Sequence, residues 1–152
     1  MRARGNTNCG SADMTISVGV CLSPFALQLG QNECGLACLE MLFDWYRLPF
    51  RESQARRLLS PSNRGSTLQD MISVAGALGL RLAGVACHTA EIASLGRPVI
   101  LHWKPYHFVV DFGYIDPGKA SRHIHDPGYG CREVRIGEVS EYFTGYMLAP
   151  LE

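Results

Sequence analysis

One helix dictates the rest of this chain. From Cys34 to Arg47 the apolar residues, among them Leu36, Leu39, Met41, Leu42, Phe43 and Trp45, go nearly all the way round a helical wheel. Such a helix offers almost no face to water, so the fold must bury it centrally and supply partners on every side. Pro49 marks its end.

The start of that helix is chemically the more informative end. A polar segment, Gln28-Leu29-Gly30-Gln31-Asn32-Glu33, runs straight into it, and Cys34 stands at the junction. Asn32 is the expected N-cap, which puts Cys34 in the first turn. A thiol there faces unpaired N–H groups and the positive end of the helix dipole, a setting that favours the nucleophilic thiolate. Gln28, six residues upstream, can swing its amide NH2 toward the same point. With the Cys34 N–H it would make two donors aimed at an oxyanion; Gln31 competes for that place. Most free cysteines are only small buried hydrophobes. Cys38, one turn further in on the same face, reads as one of these.

Around this helix the chain divides in two. Residues 1–13, rich in Gly, Asn, Ser and Arg, are expected to be disordered. Thr15–Leu27 reads as an extended arm rather than a signal peptide, because Ser17, Ser23 and Pro24 interrupt its apolar run. After the first helix, Arg51–Leu59 reads as a short basic helix. Ser66-Thr67-Leu68-Gln69 reads as a capping box opening a helix through Leu78, with Gly79 just past its end. Beyond Leu80 the period changes to that of strands. These are expected at Arg81–Ala86, Pro98–Trp103, His107–Tyr114, Arg122–Asp126, Gly130–Arg135 and Tyr146–Ala149, with short helices at Thr89–Leu95 and Gly137–Phe143. Helices first and an antiparallel sheet second make an α+β domain. It is expected to span 14–150 as a single unit, with Leu151-Glu152 set aside as a cloning scar.

A cysteine nucleophile needs a base and a group to orient it. His88, His102, His107, His123 and His125 are the candidates. His107 begins an apolar strand, but Leu101-His102-Trp103 is a similar phrase and the residues alone barely separate the two. Asp126 and Asp116 both open Asp-Pro-Gly turns, which are ordinary turn chemistry, and Asp111 is a third choice. Gly113–Ala120 is a near miss for a phosphate-binding loop: Ala120 replaces the metal-binding hydroxyl and no helix follows, so a hairpin turn explains it better.

Three blocks in order resemble one family. Gln28-x4-Glu33-Cys34-Gly35-x-Ala37-Cys38-Leu39, His107-Phe108-Val109-Val110 and His125-Asp126-Pro127-x-x-Gly130 are similar to the motifs of peptidase family C39, the bacteriocin-processing cysteine peptidases. Phe143-Thr144-Gly145-Tyr146 resembles that family's closing strand, so the likeness runs from about Leu22 to Pro150. It implies a papain-like fold, with the helical half packed on the sheet and the site in the cleft between them. It implies Cys34 as nucleophile, His107 as base, Asp126 as orienter and Gln28 as oxyanion donor. It also implies the activity: cleavage of leader peptides after Gly-Gly or Gly-Ala, by the N-terminal cytosolic domain of an ABC exporter whose membrane and ATPase parts are absent here. The partner would be a precursor with an amphipathic helical leader, received by a monomeric domain on the cytoplasmic side of the membrane. Arg51, Arg56 and Arg57 would form a basic edge steering acidic leaders. The alternatives are a leader-docking module without catalysis, or a papain-like acyltransferase or deamidase using the same three side chains.

Composition excludes other classes. The formal charge is zero, which leaves no nucleic-acid footprint. With 47% apolar and 18% charged residues the chain is globular, and no apolar run reaches the length of a membrane span. The six cysteines contain no C-x-x-C pair. Reduced thiols in a cytosolic protein are the simpler reading, and no metal or cofactor is called for.

Overall fold

The computed structural model describes residues 26–27, 33–59, 66–92, 96–116 and 120–151, with backbone alone for 114–116. The arm before the first helix, Gln28 included, therefore lies almost wholly outside the described residues.

Three helices come first: α1 (Cys34–Trp45), α2 (Glu52–Leu58) and α3 (Leu68–Leu78). The expected central helix is α1. Nine of its twelve residues, Cys34–Leu39 and Met41–Phe43, are buried. Its N-cap position is Glu33, one residue later than expected, with no side-chain cap bond. The capping box of α3 also slips by one residue. Thr67, in extended backbone, accepts from the Asp70 N–H while Asp70 accepts from the Thr67 N–H. Thr67 and Asp70 have the same three-residue spacing as Ser66 and Gln69, so periodicity could not choose between them. Gly79 closes α3 at φ 105°, a left-handed position that a side chain would strain.

The second half is β1 (Leu82–Ala86), α4 (Thr89–Ile92), β2 (Val99–Trp103), β3 (His107–Asp116), β4 (Ser121–Asp126), β5 (Gly130–Arg135), α5 (Ile136–Tyr142) and β6 (Phe143–Pro150). The strands form one antiparallel sheet in the order β1-β6-β2-β3-β4-β5. The last strand is inserted between β1 and β2. Ser121–Asp126 is a strand and not a helix, as the hairpin reading of Gly113–Ala120 requires.

Alternation along the central strands sends apolar side chains to both faces. Ile100, Phe108, Val110 and Leu148 join α1 and α3 in one core. Leu101, Val109 and Met147 join Ile92 of α4 and Val139 of α5 in a second. The sheet is thus covered on both sides. Buried within the β3–β4 pair, Arg122 donates to Asp111 through Nε at 3.0 Å and Nη2 at 2.8 Å, and the Gly113 N–H adds a bond to Asp111 at 2.8 Å. That network satisfies a carboxylate that could not otherwise be kept inside.

Candidate active site

The site lies at one end of the sheet, where β3 begins and β4 ends. In the β3–β4 register Val110 faces His125. Continued by one pair, it sets Asp126 across from Val109 and diagonal to His107 on the same face, within reach of a long side chain. The side chains meet: His107 Nε2 lies 2.6 Å from Asp126 Oδ1. Asp126 also accepts from the Gly128 N–H at 2.8 Å, so the Asp-Pro-Gly turn holds the carboxylate in place.

The Cys34 thiol is near enough to the imidazole to favour its charged form. With Nε2 committed to Asp126, Nδ1 is the nitrogen that remains for sulfur. Cys34 is the first residue of α1. Gly35 next to it permits a close approach to α3: a Cβ there would stand 3.1 Å from Met71 Sδ and 3.4 Å from Ser66 Cβ.

The electrostatics of His107 follow from these contacts. Burial by itself disfavours the imidazolium. The Asp126 hydrogen bond and charge, with those of Cys34, outweigh it and hold the His107 pKa up at about 9, against an ordinary 6.5. Cys38 behaves oppositely. Complete burial first, then the nearby charges of Cys34 and Asp126, push its thiol well above the ordinary value. It is a core residue, as expected.

Three of the rival groups are engaged elsewhere. His102 Nδ1 pairs with Thr144 Oγ1 at 2.9 Å, and burial lowers its pKa. His125 is buried with its ring against Phe112. Asp111 belongs to Arg122. Gln28, the expected oxyanion donor, lies outside the described residues, as do Gln31 and Asn32.

Two expectations need correction. Arg56 does not present a free basic edge: it is paired with Glu33, the residue before Cys34, and its Nη2 lies 3.0 Å from Glu52. Two carboxylates offset its charge, and it ties α2 to the start of α1. The Glu52–Arg56 spacing of four was a readable helical pair; the link to Glu33 spans 23 residues and left no sequence signal. The cysteines are not all reduced either. Cys34, Cys38 and Cys87 are free, whereas Cys131 is disulfide-bonded. Spacing alone does not give such a pairing. Among the described residues there is no group of three or more side chains able to hold a metal, and no helix long and apolar enough to cross a membrane.

Residues 23–151 match the model of the peptidase C39 family. This chain belongs to the peptidase C39 family. The C39 domain is 36% identical over 126 residues to the colicin V secretion/processing ATP-binding protein CvaB of Escherichia coli. The match takes in 82% of this chain but only 18% of that protein, so the chain spans less than a fifth of the relative's length. Among solved structures, a double glycine motif protease from an AMS/PCAT transporter, in complex with the leader peptide, superposes with a TM-score of 0.77 at 29% identity. It covers 84% of this C39 domain and 89% of its own chain. The peptidase domain of Streptococcus ComA, a bi-functional ABC transporter involved in quorum sensing, shares the fold with a TM-score of 0.73 at 19% identity, over 82% and 95% of the two chains. The architecture of α1–α3 against a six-stranded antiparallel sheet is the papain-like one expected for C39 peptidases.

Proposed function

We propose that this domain is a cysteine endopeptidase that removes leader peptides from ribosomal precursors by cutting after a double glycine. The observation that carries the reading is the imidazole of His107, 2.6 Å from the Asp126 carboxylate and held in its charged form by Asp126 and by the nearby Cys34 thiol. Family membership and the double-glycine protease among the similar structures support the substrate class.

In this reading the Cys34 thiolate attacks the carbonyl carbon of the last leader residue. The Cys34 N–H and Gln28 stabilise the oxyanion. His107 gives its proton to the departing amine, leaving the leader as a thioester on Cys34. Water, deprotonated by His107, then hydrolyses the thioester. Asp126 keeps the imidazole in the right tautomer and stabilises its charged form throughout. Small residues before the scissile bond fit a narrow cleft, and an amphipathic leader helix would dock by its apolar face. The domain would occupy residues 14–150, and residues 1–13 lie outside the described residues. It works as a monomeric unit at the cytosolic face of an exporter whose membrane and ATPase parts continue the natural chain.

A precursor carrying a fluorophore and quencher on either side of Gly-Gly tests this. Release of fluorescence with turnover is expected. Saturable binding without release would mean a docking module, and transfer to an added amine in place of water would mean an acyltransferase.

A further inference from the structure

A cavity of about 610 Å3 opens beside the His107–Asp126 pair, and Cys34 is not among the residues that line it. Its walls come from the β2–β3 turn (Trp103, Lys104, Pro105), the β4–β5 turn (Gly128, Tyr129) and α5 with its neighbour strand (Arg132, Glu138, Tyr142).

The reaction itself says which part of a substrate belongs there. The acyl part of the cut chain stays on Cys34, while the departing nitrogen must reach His107 to collect its proton. What lies downstream of the scissile bond therefore runs over the imidazole and away from the sulfur. A cavity that starts at His107 and excludes Cys34 lies on that path. Its surface is suited to side-chain contact: Tyr129 is 82% exposed, and Tyr142 stacks on Trp103 with centroids 5.5 Å apart. Exposed rings next to a reacting pair are large rigid contacts at small entropic cost.

Charge sets the selectivity. Lys104 brings a positive charge to the lining. The carboxylate of Glu138 is held by Arg132 at 2.8 Å, and that of Asp126 by His107. A lysine or arginine entering the cavity would meet the Lys104 cation and no uncommitted carboxylate among the lining residues.

We propose that this cavity receives the first two residues of the released cargo, favours aromatic or apolar side chains there, and rejects basic ones. The inference rests on the peptidase reading above. It concerns the downstream side of the cut, whereas the double glycine concerns the upstream side.

The test uses one leader ending in Gly-Gly joined to cargoes that begin with Phe-Ala, Ala-Phe, Lys-Ala or Ala-Lys. kcat/KM for the Phe cargoes is expected to exceed that for the Lys cargoes by about 10-fold, in the range a single pocket contact supplies. The penalty on the Lys cargoes should shrink at high salt, because it is electrostatic. Lys104→Glu should narrow or invert the Phe/Lys ratio, and Tyr129→Ala should lower the Phe rates chiefly through KM. Equal rates for all four cargoes in the natural protein would overturn the cavity assignment and leave the leader peptidase standing. Failure to cut any of the four would take down the peptidase reading, and this inference with it.

Discussion

His107 and Asp126 sit on neighbouring strands, 19 residues apart in sequence, with Nε2 and Oδ1 2.6 Å from each other. Burial of the imidazole is thereby turned from a force against charge into a setting where the charged form persists to a pKa of about 9. Activity that needs His107 as a proton donor should stay high through neutral pH and fall on the alkaline side near 9. Asp126→Asn removes the carboxylate and should move that limb toward the ordinary 6.5 while lowering kcat about 10²–10⁴-fold. The pH profile of kcat/KM for the two proteins checks this. Stability carries the same sign: a folded pKa raised above the ordinary one contributes below about 6.5, and that contribution is lost as pH rises through about 9. Denaturant midpoints across that window should fall more in the natural protein than in Asp126→Asn.

Cys34 and Cys38 stand one helical turn apart, yet they should react differently. Iodoacetamide at neutral pH is expected to label Cys34 and to spare Cys38, whose burial holds it as the thiol. Cys87 should label slowly, since partial burial and then the Glu91 charge raise its pKa. Peptide mapping of the labelled protein reads all three. Cys38→Ala should cost roughly 1–3 kcal/mol of stability as a core truncation.

The Arg56–Glu33 pair fixes the residue that precedes Cys34. Arg56 is about one-third exposed, so Arg56→Ala should change stability by no more than about 1 kcal/mol. Its expected effect is on kcat, with KM for the precursor little altered, because the start of α1 loses its tether. The exchange Glu33→Arg with Arg56→Glu should recover part of the loss. A steering role would instead raise KM and disappear at high salt.

Asp111 and Arg122 form a buried pair between β3 and β4. Asp111→Ala takes a hydrogen-bonded carboxylate from a buried guanidinium and should cost about 3–5 kcal/mol. In the fraction that folds, the alkaline limb near 9 should not move. Chemical denaturation together with the pH profile separates this structural role from that of Asp126.

What could be read from the sequence was what local chemistry dictates. Helix α1 was legible because its apolar residues leave almost no polar face. The ends of α3 were legible through Gly79 and a three-residue cap spacing, though that spacing fits two registers and the structure uses Thr67–Asp70. The sheet strands were recognisable by period, but their order was not. The place of β6 between β1 and β2 depends on pairings across forty residues or more. The covering of the second sheet face by Ile92 and Val139 depends on which way short helices fold back. The same division holds for the site. His107 and Asp126 stood out through motif and turn chemistry, whereas Arg56 reaching Glu33 and the cavity around Tyr129 exist only once distant segments meet.

The most direct test of the account is mass spectrometry of the products from a synthetic precursor with an amphipathic leader, Gly-Gly and a short cargo, run beside the Cys34→Ala protein. The account expects two fragments separated after the second glycine, with no cleavage by Cys34→Ala. An intact precursor after incubation with the reduced natural protein, or the same fragments from Cys34→Ala, would contradict it.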